Sequence, residues 1–360
     1  MSTFRVTVEA LTITPHPNAD RLELAHIGDY LSIVPRGQFS TGDLAAYIPE
    51  SAIVPESILE ELGLVGKLAG TQKNRVKAMR LRGILSQGIC YAARAGWTQG
   101  DDVAEELGIT KYEPTIPTHM SGEVYAAGLD RCIRYDIEAF KRYPHVFEPC
   151  EPVVITEKLH GTWCQIGMLP ASMAHPEQGR LVVSSKGLAH QGLAFKPEAE
   201  ANAFNIYLRA ARLLDVEKRF ADITTPIFIL GEVFGAGIQD LHYGHAKGQG
   251  PSSVAFRVFD VFRGAPTDRD AGYLDDAELE AFCQTHGFKR VPVLYRGPFS
   301  KEVLLEHTEG EETISGKGTH MREGVVVRTQ VERRDDVIGR AQLKSVSESY
   351  LLRRGGTEYN

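Results

Sequence analysis

The chain has 360 residues, a formal net charge of −7, 42% hydrophobic and 24% charged residues, and a sequence pI near 6.0. That length exceeds one ordinary core, so two domains are expected, and the composition argues against a disordered, collagen-like or disulfide-framed chain. The acidic total speaks against a histone-like non-specific binder but leaves room for nucleic acid held by a local basic patch.

The opening residues, MSTFRVTVEALTITP, lack the basic region and long apolar core of a signal peptide. No run approaches the roughly 18 apolar residues of a membrane span. A cytoplasmic protein is expected. The five cysteines, Cys90, Cys132, Cys150, Cys164 and Cys283, are scattered without a CxxC pair and read as reduced, structural thiols.

In chain order, residues 4–13 alternate in part between apolar and polar, and residues 30–35 and 44–48 are short apolar runs. Turn signals at residues 15–18 and 40–43 separate them. Residues 56–62 predict a short helix, with Ile58, Leu59 and Leu62 near one face. Many short strands and one small helix suit a small β-barrel. The next stretch, KLAGTQKNRVKAMRLRG at 67–83, carries Lys67, Lys73, Arg75, Lys77, Arg80 and Arg82 and no acid. It is either an electrostatic footprint for phosphates or a solvated loop and edge strand.

Patterning weakens between about residues 110 and 150, where Pro114, Pro117 and Pro144 interrupt it. A linker or domain entry is expected near residue 130, dividing the chain into a β-rich module over 1–125 and a larger domain over 126–360. Strands are predicted at 153–156, 181–183, 227–230, 254–262 and 325–328, with a helix over 202–214. This mixture specifies an α+β domain.

The chemistry concentrates in ITEKLHGTW, residues 155–163. A lysine placed directly after an apolar strand can be held partly desolvated. Free lysine titrates near ~10.4 and must shed a proton before attacking anything, and desolvation or a neighbouring cation favours that loss. Gly161 would allow a tight turn and close backbone approach to a bound nucleotide. Alone, Lys-x-x-Gly also describes a surface lysine before a turn, so its meaning depends on the rest of the chain.

EKLHGT at 157–162 resembles the nucleotidyl-lysine motif of ATP-dependent RNA ligases in the covalent nucleotidyltransferase superfamily, whose pattern is Glu-Lys-x-His-Gly-Thr. The other motifs come in the family's order. VVSSKG at 182–187 lies where the family has a basic residue touching nucleotide or strand, giving Lys186 in place of the usual arginine. ILGEVFG at 229–235 is similar to the ribose-binding motif, giving Glu232. FRVFDVF at 256–262 is similar to the adenine-stacking motif, giving Phe259. REGVVVR at 322–328 is similar to the metal-binding motif, giving Glu323. AQLKSVS at 341–347 is similar to the last motif, giving Lys344 for the α-phosphate. Many relatives have Lys-x-Lys there; this chain has Gln342 first, leaving open whether Arg340 supplies the second cation.

The resemblance therefore implies Lys158 as nucleophile, with Glu157, His160, Gly161, Lys186, Glu232, Phe259 and Lys344 around the nucleotide. It also implies Glu323 at the metal, ATP as co-substrate, and Mg2+ or Mn2+. It implies an ATP-grasp-like ligase domain of antiparallel sheets and helices. The module order is most like the Deinococcus-type RNA ligases, with an OB-like module before the catalytic domain. The expected activity is sealing of 3'-hydroxyl and 5'-phosphate ends at nicks in RNA or RNA-containing duplexes. Arg75, Lys77, Arg80 and Arg82 are the candidate nucleic-acid contacts, and no protein partner is expected. Alternatives are a DNA ligase, a GTP-using capping-type enzyme and a non-catalytic RNA-binding protein.

Other patterns carry less. FGAGIQD at 234–240 lacks the third glycine of a dinucleotide fingerprint. SGKGT at 315–319 lacks the residue that a P-loop needs after its lysine. His242 and His245 read as a turn rather than a metal pair.

Overall fold

The computed structural model describes residues 4–113, 116–245 and 254–357; Pro114 lies outside them. Two compact units divide the chain: Met1–Glu113 with Ala139–Pro144, and Pro114–Glu138 with His145–Asn360. The division thus falls at Glu113, and a short segment beyond the expected entry point near residue 130 returns to the first unit.

The first unit is β-rich. Thr7–Ala10, Leu44–Ile48 and Ile89–Ala92 form one antiparallel sheet, and Thr12–Pro15, Leu22–Ile27 and Tyr30–Pro35 form another. The run at 4–13 is two strands rather than one, because Leu11 turns inward between them. Strand Leu44–Ile48 has both faces covered. Ala46 and Ile48 pack with Val6, Val8, Ile58 and Leu59, while Ala45 and Tyr47 pack with Leu11, Ala25, Val34 and Cys90. The short helix is Glu56–Glu61, burying Ile58 and Leu59.

The basic stretch divides by role. Arg75 lies 4.2 Å from the centroid of the Tyr112 ring and its backbone bridges to Ile53 and Ala69. Beyond it, Met79–Leu81 and Ile84–Ser86 pair as a hairpin whose turn is Arg82 at φ 49° and Gly83 at φ 90°. Two positive φ values mark the turn that matches strand twist. Lys77, Arg80 and Arg82 are exposed.

The second unit is built on two antiparallel sheets. One runs in the order Gln342–Val346, Gly324–Thr329, Pro152–Lys158, Val293–Pro298, and the other Leu181–Ser185, Thr162–Met168, Ile227–Gly235, Val254–Arg263, Gly272–Tyr273. Cys164, Ile166, Ile229, Val233, Phe256 and Val258 pack on one face of the second sheet with helices Ile206–Leu213 and Asp276–His286. The first helix starts later than the pattern predicts. Asn205 is its N-cap, accepting from the amides of Tyr207 and Leu208, while Asn202 instead bonds Glu123 and Lys196. All five cysteines are free. Among the described residues no helix is long and apolar enough to cross a membrane.

Candidate active site

Strand Pro152–Lys158 is buried from Val153 to Glu157 and only half-buried at its last residue, so Lys158 emerges where the sheet ends. Its register partner is Gly324, which places Glu323 beside the lysine. Lys158 Nζ donates to Glu323 Oε1 at 2.5 Å. The lysine side chain is 26% exposed and the glutamate 9%, so the pair sits at the rim with its carboxylate inward. Glu323 Oε2 is buried without a hydrogen-bond partner, which is costly unless something else binds it.

Glu232 lies opposite Trp163 on the neighbouring strands. Burial lifts its carboxyl to about 8; Glu323 adds to the rise while Lys158, Lys186 and the Gly161 amide oppose it. Lys344, facing Val326 in register, is pushed down to about 8 by burial and by Lys158 and Lys186, against Glu323 and Glu138. Three cations and several carboxylates thus share one field, in which burial disfavours the charged forms of both Glu232 and Lys344. Lys186 opens the helix Lys186–His190 and meets Asp136 at 3.1 Å.

The turn after Lys158 is tightly built. A Cβ on Gly161 would lie 2.2 Å from the Val233 carbonyl oxygen and 3.0 Å from Phe234 Cβ, so only glycine fits. Its amide donates to Glu232 Oε1 at 3.1 Å. The imidazole of His160 is buried and both ring nitrogens are engaged, Nε2 with Asp240 at 2.7 Å and Nδ1 with the Tyr350 hydroxyl at 2.9 Å. The ring therefore braces the turn rather than offering a free nitrogen. Glu157 points the other way, accepting from the Thr313 amide and hydroxyl. Burial raises its pKa while those donors oppose the rise.

A bulge in strand Val254–Arg263 falls at Phe259. Register shifts between Leu230 and Gly231, so Phe259 is the extra residue on its strand. Val258 and Val261 both pack into the core on one face, whereas Phe259 packs at the other with Tyr135, Trp163 and Phe262. Without the bulge, strict alternation would turn Asp260 into that apolar core. Instead Asp260 is clamped by Arg340 at 2.6 and 2.9 Å and accepts from the Tyr135 hydroxyl. Arg340 also bonds Glu332 at 2.7 Å and lies 3.9 Å from the Tyr273 ring centroid. Its guanidinium is thereby fixed as a half-buried brace. Gln342 donates to the Tyr135 hydroxyl at 2.8 Å.

Several of these partners carried no signal in the sequence: Tyr135, Asp136, Asp240, Thr313 and Tyr350 are scattered through the chain. Asp260 did carry one, as an acid inside an otherwise apolar strand. Thr313 and the SGKGT loop also have a structural use. Ser315 and Thr319 amides donate to Glu312 at 2.9 Å. Burial alone would raise that carboxyl, but these donors and the two hydroxyls hold it at about 2. The loop wraps one of the protein's own carboxylates. His242 and His245 are joined by a backbone turn bond of 2.9 Å.

Among the described residues no group of three or more His, Cys, Asp or Glu could hold a metal ion by itself. The orphaned Glu323 oxygen nonetheless fits a hard cation that completes its shell with water and substrate phosphates.

Residues 5–93 match an OB-fold domain family, and residues 151–346 match the RNA ligase family. No curated protein matches the chain. Among solved structures, an apo mutant of the Naegleria gruberi RNA ligase is similar with 23% identity and a TM-score of 0.77, covering 97% of this chain and 98% of that one. A mutant of the same ligase with ATP and Mn gives 23% and 0.78, covering 96% and 97%. The form with PPi gives 24% and 0.77 over the same shares. These likenesses establish a shared fold from the OB-fold module through the catalytic domain. With more than half its length matched to the family and the family's fold throughout, the chain belongs to the RNA ligases.

Proposed function

We propose that the chain is an ATP-dependent ligase that joins a 3'-hydroxyl to a 5'-phosphate at nicks in RNA-containing duplexes, through a Lys158-AMP intermediate. The observation that carries this reading is the strand-end placement of Lys158 against Glu323, with Lys186, Lys344 and Glu232 in the same field. Mutants of the Naegleria ligase have been seen with ATP and Mn and with AMP and Mn, and the ligase with PPi; ATP and PPi are the substrate and leaving group of the first step proposed here, and AMP is what the last step releases.

Deprotonated Lys158 attacks the α-phosphorus of ATP; the N–P bond forms as the bond to pyrophosphate breaks. The AMP then passes to the 5'-phosphate end, freeing the amine. The 3'-hydroxyl displaces AMP, giving up its proton as the phosphodiester closes. Lys344 and Lys186 supply positive charge to the phosphates, Glu232 receives a ribose hydroxyl, and Phe259 offers a flat surface to adenine beside Trp163 and Tyr135. Glu157, His160 and Gly161 shape the turn under the nucleotide. Mg2+ or Mn2+ held by Glu323 would neutralise phosphate charge.

Arg80 and Arg82 on the exposed hairpin, with Lys77 and Arg75 in the segment before it, hold nucleic-acid phosphates. Free thiols support a cytoplasmic place of action.

The test is labelling with α-labelled ATP and GTP in parallel, then sealing of nicks whose strands are RNA or DNA in turn. ATP should label the protein and GTP should not. Lys158→Ala should abolish labelling and ordinary sealing yet seal a nick supplied already adenylylated. AMP labelling that persists in Lys158→Ala with acid-labile, alkali-stable chemistry would overturn the assignment.

A further inference from the structure

The two residues after Leu159, His160 and Gly161, are each gripped by one residue of a loop distant in sequence. Gln239 donates its amide to the Gly161 carbonyl at 2.8 Å, and Asp240 accepts from His160 Nε2 at 2.7 Å. That loop is in turn gripped by the segment after the last family motif. Thr357 reaches both gripping residues: its hydroxyl lies 2.9 Å from Gln239 Oε1 and 3.0 Å from Asp240 Oδ1, and its amide donates to Asp240 Oδ1 at 2.8 Å. Arg353 donates to Asp240 Oδ2 at 2.9 Å and to the Thr357 carbonyl at 3.0 Å. Its guanidinium lies 3.5 Å from the centroid of the Tyr350 ring. Tyr350 closes the circuit through its hydroxyl on His160 Nδ1 at 2.9 Å.

From this circuit we propose that Tyr350, Arg353 and Thr357 form a strap that positions the His160-Gly161 turn, and through it Lys158 and Glu232, for nucleotidyl transfer. The proposal rests on the reading of Lys158 as nucleophile. Its physical basis is geometric. The Gly161 amide bonds Glu232 at 3.1 Å and the turn begins two residues after Lys158. A shift of the turn therefore moves a nucleophile and a nucleotide-facing carboxylate together. In-line attack tolerates little: a displacement of about 1 Å costs on the order of 100-fold in rate. Asp240 is suited to the task because its carboxylate, despite partial burial, is held well below the usual range by His160, Arg353 and Thr357, so it stays an acceptor at every working pH. Among the described residues, Arg353 and Thr357 contact His160, Gln239, Asp240, Tyr350 and each other, and so are positioning residues.

The experiment measures single-turnover transfer of AMP from ATP to the full-length protein across ATP concentrations, with a thermal melt of each variant. Arg353→Ala should lower the saturating rate on the order of 10- to 100-fold, while the ATP concentration giving half the maximal rate moves by less than about 3-fold, since ground-state binding is largely spared. Arg353→Lys should recover part of the rate, because it restores the charge without the planar fork. Thr357→Val keeps shape and backbone but loses both hydroxyl contacts; it should slow transfer by roughly 3- to 10-fold. If Arg353→Ala does not fold, Thr357→Val decides. Wild-type saturating rates in the folded variants would overturn the strap, as would losses that merely track the unfolded fraction. Absence of labelling in the unmodified protein would instead overturn the ligase reading, so the two failures are distinguishable.

Discussion

Replacing Gly161 with alanine tests the turn with the smallest possible addition. The new Cβ would stand 2.2 Å from the Val233 carbonyl oxygen and 2.9 Å from Glu232 Cγ. Ordinary contact lies near ~3.5 Å, so the turn must retreat by about an ångström. The obstacle is backbone paired in register with Thr162, so it cannot swing aside as a flexible side chain would. Two bonds are lost or stretched: the Gly161 amide to Glu232 and Gln239 to the Gly161 carbonyl. Overpacking of this kind costs about 1–3 kcal/mol of stability. Under the proposed function, displacement of Lys158 costs on the order of 100-fold in transfer rate. The assay is single-turnover AMP labelling at a temperature where both proteins are folded, beside a melting curve. A Gly161→Ala protein that labels at the wild-type rate would refute the claim that this turn sets the position of Lys158.

Other perturbations have equally definite outcomes. Glu232 is raised to about 8 in the fold from an ordinary value of 4.5, so the native state holds its proton between those values while the unfolded chain releases it; its contribution to stability declines as pH rises through that window. Glu232→Gln should therefore raise the melting temperature of the ligand-free protein at about pH 8 and flatten the decline, while impairing labelling; parallel stability–pH curves for the two proteins would contradict this. Glu323→Ala and Lys344→Ala should each reduce transfer on the order of 100- to 1000-fold, with Lys344→Arg partly tolerated; unchanged rates for Glu323→Ala at limiting magnesium would remove the metal role. Changing Lys77, Arg80 and Arg82 together to alanine should leave labelling intact and lower the log–log salt slope of nicked-duplex binding by about 2.7. Adding the Arg75 change should cost further binding partly through its packing on Tyr112; an unchanged slope would leave the hairpin a solvated face.

Local order was readable wherever one element sufficed to explain a residue. The apolar run before Lys158 and the glycine after it already specify a strand end and a tight turn. The runs at 30–35 and 44–48 are strands with those bounds. Helix Asp276–His286 is not among the predicted elements, because the periodicity of its apolar residues is weak; its ends are nonetheless marked by the Asp275 and Glu278 capping box and by Gly287 at φ 63°. The amino-acid order alone thus determined the α+β character, the β-rich module before the ligase domain and the succession of chemistry-bearing motifs. The tertiary structure decided the rest, because the relevant partners are distant in the chain. The sequence marks His160 as a nucleotide-site residue, but only the fold shows Asp240 and Tyr350 on its two nitrogens. Arg340 looks like a replacement cation until Asp260 and Glu332 are found to hold it. Whether a polar side chain faces a substrate or braces a neighbour depends on which groups lie within hydrogen-bond reach, and only the folded backbone sets those distances.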